Sequence, residues 1–511
     1  MRDVRIPFAA CNTRLPISWQ WICCALLMIC CLANSVSTAK AEEDQPNIVL
    51  MLCDDLGYGD VQSFNPSDGK IPTPNIDRLA SQGMMFTDAH SASSVCTPTR
   101  YGILTGRYCW RTALQKGVVQ GFAPCLIKEK RPTIASFLKS QGYHTAIVGK
   151  WHLNNRYLNP ETGEEYTDGK PLKFTAPVGT KIPDGPIHRG FDYFFGIHHA
   201  RSMKAIVEQD TVTEHDDEIN FLPRLAQRCV KYIEKRSKTK QPFFLYVPFG
   251  SPHTPIVPTE EWKGKSGLGK YPDFVMQTDD VVGQILSAIE KNGLTNNTLV
   301  LFTSDNGCSR IVGIKKLAEK GHKVSGKFRG SKADIWEGGH RVPFVAKWPE
   351  KIAAGSKSEA LICLNDCFAT VADVLKTKVP DGSCEDSVSF LPALRGNPIQ
   401  SARNGIVHHS IDGHFAYRTA NWKLILARGS GGWTSPKENQ VGNEAPKAQL
   451  YDLKADIGER SNRYLDQQKI ADELLAQLEK DVRSGQSTNF SSGKNDIPEI
   501  DIWKSGESKQ Q

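Results

Sequence analysis

The chain has 511 residues, 39% of them hydrophobic and 23% charged, with 63 basic against 56 acidic side chains. That composition supports a sizeable core and excludes wholesale disorder, collagen-like repeats and a coiled-coil rod. The net charge of +7 reads as a mild excess spread along the chain; it gives no argument for nucleic acid and would not repel an anionic substrate.

Residues 1–41 read as a secretory signal. Arg14 precedes an apolar run over 21–33, and Ala39-Lys40-Ala41 fits a small-residue cleavage site. The run is short for a membrane anchor, and Ile29 before Cys30 is too bulky for a lipoprotein signal. The expectation is an exported protein, periplasmic or secreted (lysosomal in a eukaryote), with no stable membrane association after cleavage. Beyond residue 41 there remain 59 basic and 55 acidic residues, a net +4, and nine cysteines. An oxidising compartment permits disulfides, and the odd number asks whether one cysteine has another use.

Residues 48–53 form an unbroken apolar run, as a strand buried on both faces requires, and the run ends at Asp54-Asp55. Pro74 opens a helix that Gly83 closes, and Pro132 and Gly142 repeat that punctuation. Strands follow at 144–148 and 243–247, a helix at 274–291, and a strand at 298–303 that ends at Asp305-Asn306. This alternation predicts an α/β fold, a large mostly parallel sheet flanked by helices. Ligands of such sheets lie beyond the carboxyl ends of the strands. The polar clusters fall there: Asp54-Asp55, Lys150-Trp151-His152, His253 and Asp305-Asn306. After about residue 400, short strand-like pieces precede a helix near 470–482, which reads as a small antiparallel subdomain. The expected organisation is a signal over 1–41, a catalytic domain over 42–400, a C-terminal α+β subdomain over 401–483 and a polar, disordered tail over 484–511. The Gly-, Pro- and Asn-rich loop 429–447 reads as mobile.

The sharpest signal is Cys96-Thr97-Pro98-Thr99-Arg100, continued by Leu104-Thr105-Gly106. Pro98 suits a first helical turn and Gly106 a helix end, so Cys96 lies at a helix N-terminus, where free N–H groups favour an anion. Arg100, one turn on, can face the same point. Asp54, Asp55, Asp305 and Asn306 offer only oxygen donors, which selects a hard cation, calcium or magnesium, over zinc.

The Cys-x-Pro-x-Arg string resembles the signature of the type I, arylsulfatase-like sulfatases. Further segments match that family in order: Asp54-Asp55 to Asp60, Gly149-Lys150-Trp151-His152-Leu153, Pro252-His253-Thr254-Pro255, Ser304-Asp305-Asn306-Gly307, Arg329 to Pro343 with Lys332, and Leu450-Tyr451-Asp452-Leu453 with Asp456, Glu459 and Asn462. Thr99 stands where relatives often carry Ser or Ala. The resemblance spans about residues 46–462. It implies an alkaline-phosphatase-like sandwich and a hydrolase of sulfuric esters. It implies conversion of Cys96 to formylglycine by a separate maturation enzyme, which also accounts for one cysteine of the odd number. It implies one calcium ion, rather than magnesium, on Asp54, Asp55, Cys96, Asp305 and Asn306. The implied catalytic residues are Cys96, Arg100, Lys150, His152, His253 and Lys332. His253, with Lys332, would serve the leaving group, and His152 would release sulfate. The substrates expected of an exported member are sulfated carbohydrates, or aryl sulfates as simple analogues, with a rim built partly by residues 157–201 and the C-terminal subdomain. Two alternatives are a phosphatase or phosphodiesterase of the same superfamily, which would need a Ser or Thr nucleophile and additional His ligands, and a non-catalytic sulfoglycan-binding protein that keeps the thiol.

Overall fold

Five buried apolar runs build the centre of the molecule: β1 (Asn47–Cys53), β2 (His144–Lys150), β3 (Tyr193–Ile197), β4 (Phe243–Pro248) and β5 (Thr298–Ser304). The structure is a computed structural model; it describes residues 45–504 apart from 168–173, 200, 202, 401–402 and 489–492, together with Met1 and Pro7. The signal reading of 1–41 rests on residues outside that description.

The five strands are mutually parallel, in the spatial order β5-β1-β4-β2-β3, within a ten-stranded sheet. Alternate β1 side chains serve opposite layers. Ile48, Leu50 and Leu52 join one core, and Val49, Met51 and Cys53 the other. A strand covered on both faces must be apolar throughout, which is why β1 and β5 carry no alternation. Five more strands finish the sheet: antiparallel Phe344–Lys347 beside β5, then Met84–Phe86 and Ser356–Ser358 at one side, and the hairpin of Ala205–Glu208 with Thr211–His215 at the other.

The helices start and stop where the residues require. Pro74 occupies the first turn of α1 (Pro74–Gln82). In α2 (Cys96–Thr105), Gly106 ends the helix at φ +66°, a left-handed conformation that favours glycine. The 19-residue α3 (Glu218–Arg236) has no counterpart in the sequence reading; it carries Pro223 and many charges, with a single apolar stripe facing the sheet. The next helix, α4 (Lys270–Lys291), begins four residues before its expected start, with Asp273 in its first turn. A four-stranded antiparallel sheet follows residue 405, and α5 (Gln468–Arg483) packs Leu474 and Leu478 against Phe415, Leu424 and Leu450.

Two expectations for the C-terminal region are corrected. The loop expected to be mobile is pinned at its start: Asp334 accepts from the backbone N–H groups of Trp433 and Thr434, Ile335 N–H donates to Ser430 O, and Glu438 accepts from Arg428 and Gly429. The described part of the tail is also seated. Asp496 N–H donates to Arg111 O at 2.7 Å, Arg107 donates to Lys494 O at 2.6 Å, and Ile502 is buried. All nine described cysteines are free and buried.

Candidate active site

The four strands β5, β1, β4 and β2 are consecutive neighbours, so the residues just past their carboxyl ends meet at one place. Backbone bonds fix the junctions: Asp54 N–H donates to Ser251 O at 2.9 Å and Asp305 N–H to Cys53 O at 3.0 Å. Beyond β2, Trp151 and His152 donate backbone N–H groups to Ile197 and His198. Gly149 lies so close to the Pro248 carbonyl that a Cβ would stand 2.0 Å from that oxygen, so only glycine permits the approach of β2 to β4.

Three cations and three carboxylates interlock there, all buried. Lys150 Nζ donates to Asp54 Oδ2 at 2.6 Å. Arg100 Nε and Nη2 both donate to Asp305 Oδ2, at 3.1 and 2.7 Å, and Nη1 donates to Lys150 O at 3.2 Å. Lys332 Nζ donates to Asp55 Oδ1 at 2.5 Å, and Asn306 Nδ2 reaches the same oxygen at 2.8 Å. Burial pushes Asp54 up, but Lys150, His253, Arg100 and Lys332 together hold it well below the usual carboxylate range. Burial and the adjacent Asp54 push Asp305 the other way. Burial opposes the charge on Lys332, and Asp55 overrides it, so Lys332 stays protonated.

Residue 96 begins α2, is 2% exposed, and its sulfur lies within 4.8 Å of an oxygen of Asp54 and of Asp305. Burial pushes the Cys96 thiol up, against the pull of Lys150 and Lys332. The thiol is therefore not an activated thiolate nucleophile.

The metal expectation meets a direct test in the donor atoms. Asp54 Oδ1 and Asn306 Oδ1 are buried and make no hydrogen bond. Leaving two buried oxygens orphaned is costly, and a hard cation would satisfy both. Asp54, Asp55, Asp305 and Asn306 thus fit such an ion, and the site's charges are balanced without it, so the ion would leave a positive surplus for an anionic substrate.

The histidines are assigned by their partners. His152 Nε2 faces Val119 O at 3.1 Å and must donate to it, so Nδ1 carries the lone pair; it is buried and unpartnered. His253 Nε2 stands 3.7 Å from Asp55 Oδ2. Burial lowers His253 to about 4 despite Asp54 and Asp55. His199, which nothing in the sequence singled out, sits edge-on to His152 with centroids 4.1 Å apart and 6.1 Å from His253. Its Nδ1 accepts from Arg201 N–H, which leaves Nε2 as a donor.

Other motif residues lie away from this centre. Asp60 accepts from Gly57 N–H, Tyr271 OH and His322, so it braces the 55–60 turn. Glu459 accepts from Glu337 N–H at 2.7 Å and pairs with Lys423 at 2.9 Å, while Asn462 closes the turn after Gln449–Asp452. These residues weld the C-terminal sheet to the Glu337 segment. The same joint holds His90, His340 and His408. Most of their ring nitrogens are committed within the protein: His90 Nε2 meets Asp88 at 2.7 Å, His90 Nδ1 meets His340 Nδ1 at 3.0 Å, and His340 Nε2 meets Lys423 Nζ at 2.9 Å.

An alkaline-phosphatase-like sandwich with a buried oxygen-donor cluster beside a helix N-terminus defines a hydrolase of anionic esters. Comparison with known proteins narrows the class. The Sulfatase family profile matches residues 46–377. The chain is 32% identical over 486 residues to N-acetylgalactosamine-6-O-sulfatase of Bacteroides thetaiotaomicron, covering 85% of this chain and 93% of that one. It is 30% identical to arylsulfatase A of Bos taurus, covering 87% and 88%. A solved Bacteroides thetaiotaomicron structure, from work on glycosaminoglycan metabolism, superposes with a TM-score of 0.73 at 28% identity, covering 86% of this chain and all of that one. The chain belongs to the sulfatase family, hydrolases that act on sulfuric esters.

Proposed function

We propose that the protein is an exported, calcium-dependent sulfatase that cleaves sulfate monoesters of carbohydrates, with Cys96 converted to formylglycine by a maturation enzyme. The observation that carries this reading is the pair of orphaned buried oxygens, Asp54 Oδ1 and Asn306 Oδ1, in the cluster that adjoins residue 96 at a helix N-terminus. A relative named for a sulfated amino sugar supports a carbohydrate substrate. No helix among the described residues is long and apolar enough to cross a membrane.

Asp54, Asp55, Asp305 and Asn306, with residue 96, would hold the ion, which supplies positive charge to the sulfate oxygens. As a hydrated aldehyde, residue 96 would supply one hydroxyl as nucleophile toward sulfur and a second for the later release of sulfate. The protein's own groups do the rest. Arg100 is held by Asp305 and Lys150 by Asp54, so both cations are fixed before substrate arrives. Lys332, protonated beside Asp55, places its charge on the sulfate. His253, neutral in the free protein, takes up a proton as the anion binds and gives it to the departing sugar oxygen. His152 acts as base through Nδ1, the nitrogen that the Val119 carbonyl leaves free.

The test compares sulfate and phosphate release from matched aryl and sugar esters, using protein from a maturation-competent host, before and after calcium removal. Release of sulfate that stops on chelation and returns with calcium is expected. Preferential phosphate release would overturn the reading.

A further inference from the structure

The basic residues are not evenly spread. Residues 310–329 carry Arg310, Lys315, Lys316, Lys320, Lys323, Lys327 and Arg329 against the single acid Glu319, a net +6, which exceeds the +4 of the whole chain after residue 41. The segment's place in the fold makes this charge relevant to the site. The chain leaves the metal segment at Cys308 and returns at Lys332, and Lys332 N–H donates to Cys308 O at 2.9 Å. The excursion therefore starts and ends beside the catalytic centre.

Most of the cations on that surface are not neutralised. Arg310, Lys315, Lys316, Lys320 and Lys327 are exposed and, among the described residues, none has a carboxylate partner. Lys323 is neutralised by Asp68 at 3.0 Å, and Arg329 is spent on Glu459 O and the Trp336 ring. Lys70, also exposed, lies beside Gly321 and extends the strip. Arg310 marks the end nearest the site. It donates to Trp433 O at 2.6 Å and lies over the half-buried Trp433 ring, and Trp433 is tied to Asp334, two residues from Lys332. The arrangement is an arginine on a tryptophan beside the Asp334 segment, followed by exposed lysines without carboxylate partners among the described residues, of which Lys320 donates only to Leu268 O at 3.0 Å.

A folded protein gains nothing from like charges gathered without counter-ions, since they repel within a Debye length of about 8–10 Å. A ligand with regularly spaced anions relieves that repulsion. One sulfated sugar bound at residue 96 would not extend along the strip; a chain bearing further sulfates would. We propose that the Arg310–Lys327 strip is an extended binding surface for a sulfated polysaccharide, which it holds while one sulfate ester occupies the catalytic centre. This inference rests on the sulfatase reading and adds that the substrate is polymeric and multiply sulfated.

The test uses the full-length protein and the variant Lys315→Gln/Lys316→Gln/Lys320→Gln, whose altered side chains are exposed. Fluorescently labelled 6-O-sulfated galactosaminoglycan oligosaccharides, from disaccharide to decasaccharide, are titrated at low and physiological salt, and hydrolysis of an aryl sulfate is measured in parallel. The wild type should bind the decasaccharide at least about tenfold more tightly than the disaccharide, with a steep salt dependence. The variant should lose both the length and the salt dependence and keep its aryl sulfate kcat/KM within about twofold, because an exposed charge outside the centre leaves the chemistry alone. Length-independent binding by the wild type, or equal behaviour of wild type and variant, would overturn the proposal. So would a DNA duplex of matched length that competes as tightly as the sulfated chain, since the strip would then be a general polyanion surface. Absence of aryl sulfate hydrolysis by converted protein would strike the underlying catalytic reading instead, and the titrations would still decide the strip.

Discussion

Lys150 and Asp54 meet at 2.6 Å with neither side chain exposed, which makes their pairing measurable. Lys150→Met keeps most of the volume and removes the charge; Asp54→Asn keeps the shape and removes the carboxylate. Each single change leaves a buried ion without its partner, a loss of ~3–5 kcal/mol for pairs of this kind. Arg100 Nη2, at 3.6 Å from Asp54, moderates the cost of losing Lys150, so the lower end is expected for Lys150→Met. The double variant removes both charges and should be less destabilised than the sum of the singles, with a coupling of at least ~2 kcal/mol. The assay is denaturant unfolding of the four proteins in chelator, repeated with calcium. If Asp54 is a calcium ligand, added calcium stabilises the wild type and Lys150→Met but stabilises both Asp54→Asn proteins far less. A coupling under ~0.5 kcal/mol in chelator, or equal calcium stabilisation of all four proteins, would refute the assignment of Asp54 to both roles.

Other consequences follow from the same geometry. His152→Ala should release about one equivalent of alcohol in a burst and then turn over at least ~100-fold more slowly, because sulfate expulsion loses its base; stopped-flow with an aryl sulfate reads this, and a uniform slowing without a burst would contradict it. Arg100→Lys should lower kcat and reduce calcium affinity, since an ammonium cannot reproduce the two bonds to Asp305 Oδ2; isothermal titration and steady-state kinetics test it. Acid should destabilise the fold. Burial lowers His90, His198 and His253 to about 4, and His152, His199, His340 and His408 lie well below their ordinary value. The unfolded chain, with histidines near 6.5, then binds more protons than the folded one below that pH, so stability present above pH 6.5 is lost as pH falls towards 4. Thermal unfolding at pH 7.5 and 5 should show a lower midpoint at 5; an unchanged or higher one would contradict the neutral assignment.

Much of the centre was legible because its rules are local. An apolar run that stops at paired oxygen donors, Asp54-Asp55 in one case and Asp305-Asn306 in the other, states both a buried strand and what stands at its end. Cys96-x-Pro-x-Arg places residue 96 at a helix start through Pro98 and Gly106. Pairings across hundreds of residues were not legible: nothing near Lys332 announces Asp55, 277 positions away. The tautomer of His152 depends on a backbone carbonyl, Val119 O, which has no sequence signature at all. The Glu459 and Asn462 motif matched the family, but only the fold reveals that it fastens the C-terminal sheet. The helix Glu218–Arg236 was hidden by Pro223 and its charges. The basic strip was visible in the letters but lost in a chain-wide average, and its meaning came from the Lys332–Cys308 bond that returns it to the site.

The measurement that bears most directly on the central claim is the mass of the proteolytic peptide containing Cys96, from protein made in a host that converts a control sulfatase. The account predicts an aldehyde or its hydrate in place of the thiol at residue 96. An intact cysteine there would contradict it, make Thr99 the first suspect for failed maturation, and leave a sulfoglycan-binding protein with an unused thiol as the better description.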